Sequence, residues 1–284
     1  MMSYKSLDNN LGNQLFQLFS LIGISKKNNY NYLIDKNDNE RTYWNTILNK
    51  LPNCDDKYSE FSKQNNGEIF VVNECRFSQY NDIELEKEKM SNVMLNGKFQ
   101  SFYYFEDVKD EVFDTLIKNQ NTDILNKVNK IYDNLKLKYN NKQFIFIHRT
   151  NNSNDIKIFK MLSTEYYKKA LSHFNQDECV FIIFCDDISF INEFDFLKHK
   201  EFIVEDDYIE LLLMSKMDGA ILSNSSISFW GAYLMDYYKC KKIVCPKYLF
   251  AEWDIHRYDC FQKHWLFIEN KEMIDNVKVD PQYK

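Results

Sequence analysis

From residue 144 onward the sequence alternates between short apolar runs and segments whose apolar residues recur at helical spacing. The pattern predicts strands at residues 144–147, 180–184, 202–204, 220–222 and 242–245, separated by helices at residues 163–174, 188–194, 208–216 and 226–238. Continuous apolar strands between amphipathic helices are typical of a parallel sheet that helices cover on both faces. We therefore predict an α/β fold in which ligands bind at the carboxyl ends of the strands.

The first half of the chain has a less regular pattern. Strands are predicted at residues 3–7, 69–73 and 92–95, and helices from residue 11 and at residues 122–137. A chain of 284 residues has room for one large α/β domain or for two smaller ones. The polar segment at residues 138–143 directly precedes the regular alternation. We place a domain boundary there, between residues 1–138 and residues 139–284.

Composition argues against several classes of protein. A net charge of −6 disfavours a nucleic-acid partner, because such domains usually carry a basic face. No apolar run approaches the roughly 18 residues that cross a membrane, and the N-terminus lacks an apolar signal region. We therefore expect a cytoplasmic protein without a transmembrane segment, peripheral to a membrane at most. The sequence favours no oligomeric state.

Metal and cofactor motifs are missing from the sequence. It has no Walker A loop and no G-x-G-x-x-G segment. The 7 cysteines are scattered without a Cys-x-x-Cys pair, and the 5 histidines lack metal-ligand spacing. Asp186-Asp187 and Asp206-Asp207 each directly precede a predicted helix, so capping explains them better than metal ligation does. We expect neither a metal nor a cofactor.

The segment from Ser223 to Ser226 lies between the predicted strand at residues 220–222 and the helix that follows it. The first N–H groups of a helix lack partners within the helix and attract phosphate. Hydroxyl donors from Ser225, Ser226 and Ser228 would add to them. Serine and asparagine are also the preferred N-cap residues, so the turn is compatible with a phosphate site and with a simple cap.

Arginine is scarce in this lysine-rich sequence and occurs at positions 41, 76, 149 and 257. Arg149 ends a predicted buried strand, next to His148. An unpaired guanidinium at such a place would be costly, and a bidentate phosphate contact is one interaction that lysine reproduces poorly. We therefore expect Arg149 to bind phosphate at the same sheet edge as the serine turn.

Six segments carry a resemblance to a known family. They are Leu11-Gly12-Asn13-Gln14-Leu15-Phe16-Gln17, Gly97-Lys98-Phe99-Gln100-Ser101 with Tyr104-Phe105, Tyr166-Tyr167-Lys168-Lys169-Ala170, Phe184-Cys185-Asp186-Asp187, Leu213-Met214-Ser215 and Asn224-Ser225-Ser226-Ile227-Ser228-Phe229-Trp230-Gly231-Ala232. In this order they resemble the α-1,2-fucosyltransferases of glycosyltransferase family 11, which are related to O-fucosyltransferases and α-1,6-fucosyltransferases. Each match is modest alone, but the ordered set spans nearly the whole chain.

The resemblance implies a GT-B-like fold, with two Rossmann-type lobes and a nucleotide-sugar cleft between them. The C-terminal lobe would bind the nucleotide and the N-terminal lobe the acceptor. The reaction would be an inverting, metal-independent transfer of fucose from GDP-β-L-fucose to a hydroxyl of a glycan, such as the 2-OH of galactose. GDP-fucose would be a donor substrate, so the resemblance implies no cofactor.

The resemblance also implies which residues bind the substrates. The nucleotide sugar would contact Gly12, Asn13, His148, Arg149, Asp186, Asp187, Asn224, Ser225, Ser226 and Ser228. Arg149 would bind the GDP phosphates, one aspartate would face the guanine or ribose, and Asn13 would reach the pyrophosphate or the fucose from the opposing lobe. Gln100 and Ser101 would lie on the acceptor side.

Two motifs depart from the family pattern, and the first is the opening segment, where Asn9 and Asn10 replace glycines. The family's H-x-R-R-G-D segment stands here as Ile147-His148-Arg149-Thr150-Asn151-Asn152, so the first arginine is kept, whereas the histidine, the second arginine and the aspartate are replaced. Asn152 cannot act as a base. Asp155 is a nearby substitute, and a dissociative, oxocarbenium-like path with little need for a base is the alternative.

Three interpretations remain open from the sequence. The chain is an active fucosyltransferase, a transferase that uses a different nucleotide deoxysugar, or a catalytically silent protein that binds nucleotides or glycans. The ordered motifs favour the first interpretation, and the altered segment around Arg149 motivates the other two.

Overall fold

The computed structural model describes residues 1–8, 10–34, 43–51, 68–75, 79–150, 162–185, 188–237, 241–249 and 259–270. These residues form two compact units. The first contains the described part of Met1–Ile124 and residues 259–262, and the second contains the described residues from Leu125 onward, apart from 259–262. The domain limits inferred from the sequence, 1–138 and 139–284, stay a prediction.

The first unit is built on a parallel sheet of three strands in the order β1-β3-β2. The strands are β1 (Met2–Tyr4), β2 (Phe70–Asn73) and β3 (Val93–Asn96), and the helices are α1 (Leu11–Lys27) and α2 (Lys109–Phe113), which continues as a π-helical turn at Asp114–Lys118. Every residue of α1 from Leu11 to Ser25 is buried, so this helix forms the centre of the unit. The first strand ends at Tyr4 and is shorter than the sequence predicts.

The second unit contains six parallel strands in the order β6-β5-β4-β7-β8-β9. The strands are β4 (Gln143–Arg149), β5 (Cys179–Cys185), β6 (Lys200–Ile203), β7 (Gly219–Ile221), β8 (Lys242–Pro246) and β9 (Leu266–Ile268). The α-helices are α3 (Thr122–Lys138), which begins at the boundary of the units, α4 (Thr164–Leu171), α5 (Asp207–Met214) and α6 (Ser226–Met235). Counted from β4, the order is 3-2-1-4-5-6, the doubly wound order of dinucleotide-binding folds.

The centre of this sheet explains the apolar runs in the sequence. All residues of β5 are buried, and β4 is buried from Phe144 to Arg149. Tyr166 and Tyr167 of α4 belong to the same core cluster. Because helices and loops cover both faces, the strands read as continuous apolar segments without alternation.

Three details differ from the sequence-based prediction. The segment Ile188–Phe194 is a 3-10 helix, a form that short connectors often take. Helix α6 ends at Met235 because the buried side chain of Asp236 accepts hydrogen bonds from Lys241 N (3.0 Å) and from the indole of Trp265 (2.9 Å), which close the helix end. Strand β9 is not predicted from the sequence, because it has only three residues and one of them, Leu266, is exposed, so no apolar pattern is recognisable.

Candidate functional site

The carboxyl ends of β4 and β7 lie side by side in the second unit. The two strands pair in parallel with Ile147 opposite Ile221, and His148-Arg149 and the turn from Leu222 follow directly. These strands are also the point at which the strand order reverses. In doubly wound sheets, ligands bind in the crevice outside this point. The fold therefore brings two groups of predicted site residues to one sheet edge.

Buried hydrogen bonds connect the turn after β7 to β4 and to α4. His148 Nδ1 lies 2.8 Å from Ser223 Oγ, and the N–H of Ser223 donates to Ser228 Oγ at 3.2 Å. The hydroxyls of Tyr166 and Tyr167 donate to the carbonyls of Leu222 (2.7 Å) and His148 (3.1 Å). Burial raises the pKa of both tyrosines, which keeps the phenols protonated as donors.

This network gives protein partners to two residues that the sequence assigns to the nucleotide. His148 and Ser228 are both buried, and their polar groups hold the turn in place. Ser223, which links them, belongs to the predicted turn but is not among the residues assigned to the nucleotide. Its position in the sequence, between β7 and the serine turn, could have indicated this role, because a hydroxyl there lies close to the strand end and to the turn.

Ser225 occupies the N-cap position of α6, but its side chain makes no capping hydrogen bond. Its carbonyl accepts the N–H of Phe229 at 3.1 Å, as the first bond of the helix. Asn224 Nδ2 donates to the carbonyl of Leu249 at 3.1 Å. The simple-cap interpretation of Ser225 is therefore not realised, and the helix begins without the side-chain acceptor that an N-cap serine usually supplies.

Arg149 is buried and is bound to Glu193. Its Nε and Nη2 donate to the two carboxylate oxygens of Glu193 at 3.1 and 3.2 Å, in a bidentate pair. Nη1 donates to the carbonyl of Thr150 at 3.4 Å. The guanidinium carbon lies 4.3 Å from the ring centre of Phe190 and 5.8 Å from that of Tyr167.

The expectation that Arg149 needs a phosphate to offset an unpaired charge is therefore wrong. Glu193 supplies the neutralising carboxylate from the 3-10 helix that follows β5. The sequence contains a signal for this pair, because the segment that follows β5 carries the acidic residue Glu193. Using that signal requires the strand order, which the sequence does not state. The role of Arg149 in phosphate binding stays a prediction.

In the first unit, Asn13 and Gln100 form a direct pair. Gln100 Nε2 donates to Asn13 Oδ1 at 2.6 Å, and Asn13 is buried in the first turns of α1, next to the buried Gly12. The two positions that the sequence places on the donor and acceptor sides thus share one hydrogen bond.

Two glutamines of the same helix hold the surrounding loops. Gln14 Nε2 donates to the carbonyl of Asp8 at 2.7 Å. Gln17 Nε2 donates to the carbonyl of Gly97 at 2.9 Å, and Gln17 Oε1 accepts the N–H of Asp8 at 2.8 Å. The polar residues of the segment that begins at Leu11 therefore connect the start of the helix to the segment that contains Gln100.

Ser101 is fully buried and its hydroxyl is engaged twice. Its Oγ accepts the N–H of Tyr103 at 3.4 Å, as the N-cap of a short 3-10 helix, and donates to the carbonyl of Asp259 at 3.1 Å. The structure thus gives Ser101 a capping role, and its place on the acceptor side stays a prediction.

The acidic candidates divide into described and undescribed residues. Asp155, Asp186 and Asp187 lie outside the described residues. Asp206 is the N-cap residue of α5, but its side chain makes no capping hydrogen bond and instead accepts the hydroxyl of Tyr208 at 3.2 Å. The expected side-chain cap is therefore wrong for Asp206.

Metal-binding clusters and membrane-spanning helices are both missing from the described ranges. Within the described ranges, no group of three or more His, Cys, Asp and Glu residues is placed to hold a metal ion. In the same part of the chain, no helix combines the length and the apolar character that a membrane crossing requires.

The sequence is similar to two curated glycosyltransferases. The O-antigen biosynthesis glycosyltransferase WbnK of Escherichia coli is 26% identical over 288 residues, which cover 87% of this chain and 95% of that protein. An α-1,2-colitosyltransferase of Escherichia coli is 23% identical over 192 residues, which cover 63% of each protein. No protein-family model matches the chain.

Solved structures agree with the fold. A glycosyltransferase of family 9 from Veillonella parvula has a TM-score of 0.51 at 10% identity, over 94% of this chain and 86% of that one. ADP-heptose lipopolysaccharide heptosyltransferase II of Escherichia coli has a TM-score of 0.50 at 8% identity, over 97% and 94%. The α-1,6-fucosyltransferase NodZ, co-crystallised with GDP, has a TM-score of 0.50 at 10% identity, over 81% and 91%. The predicted fold class is therefore confirmed, and the chain has an α/β fold with parallel sheets that matches GT-B glycosyltransferases.

Proposed function

We propose that the chain is a glycosyltransferase that moves fucose from GDP-β-L-fucose to a hydroxyl of a glycan acceptor. The observation that carries the proposal is the sheet edge at β4 and β7, where Arg149 and the N-terminus of α6 follow adjacent strands. A guanidinium and the N–H groups at a helix N-terminus both bind phosphates. The similarity to WbnK over most of both chains supports the same enzyme class.

The proposed reaction inverts the anomeric carbon. The acceptor oxygen forms a bond to that carbon from the face opposite the nucleotide, and the bond to the GDP oxygen breaks, so that a β-linked donor yields an α-linked product. The departing diphosphate gains negative charge, which Arg149 and the N-terminus of α6 would stabilise without a metal. The acceptor proton would pass to Asp155, or to solvent along a dissociative path.

In the first unit, we propose that Asn13 contacts the donor and Gln100 the acceptor. Their mutual hydrogen bond of 2.6 Å fixes the directions of both amide groups. Sugar hydroxyls donate and accept hydrogen bonds, and paired amides match both capacities. The 2-OH of a galactose-like sugar is the proposed target.

Thermal-shift measurements with nucleotides and nucleotide sugars test the donor. We expect GDP and GDP-fucose to raise the melting temperature, because a ligand that binds only the folded state stabilises it by mass action. UDP and dTDP compounds are the controls and should have little effect. Stabilisation by UDP or dTDP compounds alone would contradict the proposal.

A second candidate donor carries colitose in place of fucose. The observation that favours it is the similarity to a protein named as an α-1,2-colitosyltransferase. Turnover assays with GDP-fucose and GDP-colitose, under the same conditions and with the same acceptors, distinguish the two. Binding of GDP without turnover of any donor would instead indicate the silent homologue, to which the replaced residues Thr150 and Asn152 point.

A further inference from the structure

We infer that Glu193 sets the affinity of the proposed phosphate site, because its carboxylate competes with an incoming diphosphate for the Nε–Nη2 edge of Arg149. The inference rests on the proposed function, since it requires that Arg149 binds the phosphates of the donor. It adds a residue that the sequence motifs do not indicate.

The first step is the geometry of the guanidinium. The N–H donors of arginine point outward in the plane of the group, and its two faces have no donors. One edge, formed by Nε and Nη2, is filled by both oxygens of Glu193. The ring of Phe190 covers a face at 4.3 Å, and Nη1 points to the carbonyl of Thr150 at 3.4 Å. Glu193 therefore occupies the Nε–Nη2 edge, which is one of the two edges that can bind a phosphate with two hydrogen bonds.

The second step is the difference in exposure between the two partners. The side chain of Arg149 is 4% exposed, whereas that of Glu193 is 30% exposed. Arg149 is the last residue of a central strand and contacts Phe190 and Tyr167, so it has little freedom to move. Glu193 can turn its carboxylate into water with only side-chain rotations. Exchange of anions would therefore move Glu193 and leave Arg149 in place.

The third step is the backbone that carries Glu193. Phe194, the next residue, is fully buried in the core cluster, and Phe190 of the same 3-10 helix is buried against the guanidinium. These rings anchor the segment on both sides of Glu193. The carboxylate can thus leave Arg149 while the segment stays packed, and it returns when the anion leaves.

The inference predicts two opposite effects of one substitution. In Glu193→Gln the buried guanidinium loses its charged partner, so the protein becomes less stable without an added anion. The same change removes the competitor, so anions bind more tightly. A carboxylate with a purely structural role would produce only the first effect.

The experiment measures GDP and inorganic pyrophosphate binding by calorimetry, together with melting temperatures. We expect Glu193→Gln to bind GDP about tenfold more tightly than the wild type, equivalent to ~1.4 kcal/mol. We also expect pyrophosphate to raise its melting temperature more than that of the wild type. The matched control is Asp195→Asn, which removes the same charge two residues later, where Asp195 pairs with Lys200 at 3.0 Å. It should bind both anions as the wild type does.

The results separate the inference from the proposed function. If the wild type binds neither GDP nor pyrophosphate, the phosphate site itself is refuted. If the wild type binds GDP and Glu193→Gln binds it equally or more weakly, the displacement by Glu193 is refuted. An equal gain in Asp195→Asn would refute it too, since it would show a general effect of charge. If Glu193→Gln does not fold, Glu193→Asp replaces it, because the shorter side chain keeps the charge but cannot reach both nitrogens of Arg149. Tighter GDP binding by Glu193→Asp supports displacement, and unchanged binding refutes it.

Discussion

Arg149 holds its charge inside the second unit because a carboxylate and two aromatic rings surround it. Loss of one member of a buried ion pair typically costs about 3–5 kcal/mol, so this guanidinium requires an anion at all times. Glu193 meets that requirement in the structure, and a phosphate is the proposed alternative. Arg149 is thus a structural residue as well as the proposed phosphate ligand.

Substitution of Arg149 by lysine tests the bidentate contact. Lysine keeps the charge but is a point charge without the planar fork, so we expect Arg149→Lys to weaken GDP binding by more than ~1 kcal/mol. Calorimetry measures the affinity, and a melting curve confirms that the variant is folded. Unchanged GDP binding in a folded variant would show that Arg149 does not bind the phosphates through its fork.

Tyr104 makes the stability of the first unit depend on pH in the alkaline range. Burial raises the pKa of Tyr104 from 10.0 to about 12. Between these values the folded chain keeps a proton that the unfolded chain has lost, so the free energy of unfolding falls as the pH rises from about 10 to about 12. Below pH 10 both states are protonated and this contribution is constant.

The variant Tyr104→Phe removes this titration. We expect its unfolding free energy, measured by urea denaturation, to fall less steeply across the same range than that of the wild type. Other buried tyrosines, such as Tyr4 and Tyr166, remain in both proteins, so the difference in slope isolates Tyr104. The variant also loses the acceptor of the Asn81 N–H, which adds a constant offset of about 1 kcal/mol. Identical slopes would contradict the prediction.

Among the elements, α1 shows how closely the first unit is packed. A Cβ on Gly23 would lie 1.9 Å from the carbonyl oxygen of Tyr104, which is a backbone atom. Only glycine allows the helix and the short 3-10 helix at Phe102–Tyr104 to approach so closely.

We expect Gly23→Ala to destabilise the protein by roughly 1–3 kcal/mol, because overpacking forces backbone shifts. Urea denaturation measures the loss. Gly231→Ala in α6 is the comparison: its Cβ would lie 2.6 Å from the sulfur and 2.8 Å from the Cβ of Met214, so a side chain rather than a backbone carbonyl must shift, and we expect a smaller loss. An equal or larger loss in Gly231→Ala would contradict this explanation.

The elements were predictable from the sequence to the extent that they are buried. Strands β4 and β5 are buried along nearly all of their lengths, so their apolar runs stand out. Strand β9 contains three residues and an exposed leucine, which leave too short a pattern. Helix ends were less predictable, because the end of α6 depends on Asp236 and on Trp265, which is 29 residues away.

The positions of the candidate site residues at the strand ends were predictable from the sequence. Their contacts with residues of neighbouring strands were not. Arg149 and the serine turn follow apolar strands, so the parallel-sheet rule places them on one edge. Their contacts follow from the strand order β5-β4-β7, which brings Glu193 and Ser223 to β4. Local sequence patterns contain no information on which strands become neighbours.

At the scale of the whole molecule, the fold alone does not determine the donor. Similar folds occur in a heptosyltransferase and in a fucosyltransferase. A fold can support several activities, because the function depends on the groups at the site rather than on the architecture.

The hydrogen bonds that assemble the sheet edge have a consequence for folding kinetics. They join residues far apart in the chain: 44 positions for Arg149 and Glu193, 56 for Tyr166 and Leu222, and 75 for His148 and Ser223. Non-local contacts form slowly, because the entropy of loop closure is lost before the contacts stabilise the chain. We expect the helical signal to recover first after dilution from urea and the binding of a fluorescent GDP analogue to recover later. Recovery of both signals with one rate constant would contradict this order. During synthesis, a chain that has already formed β4 and β5 would still lack the proposed phosphate site until β7 and the turn beyond it have been made.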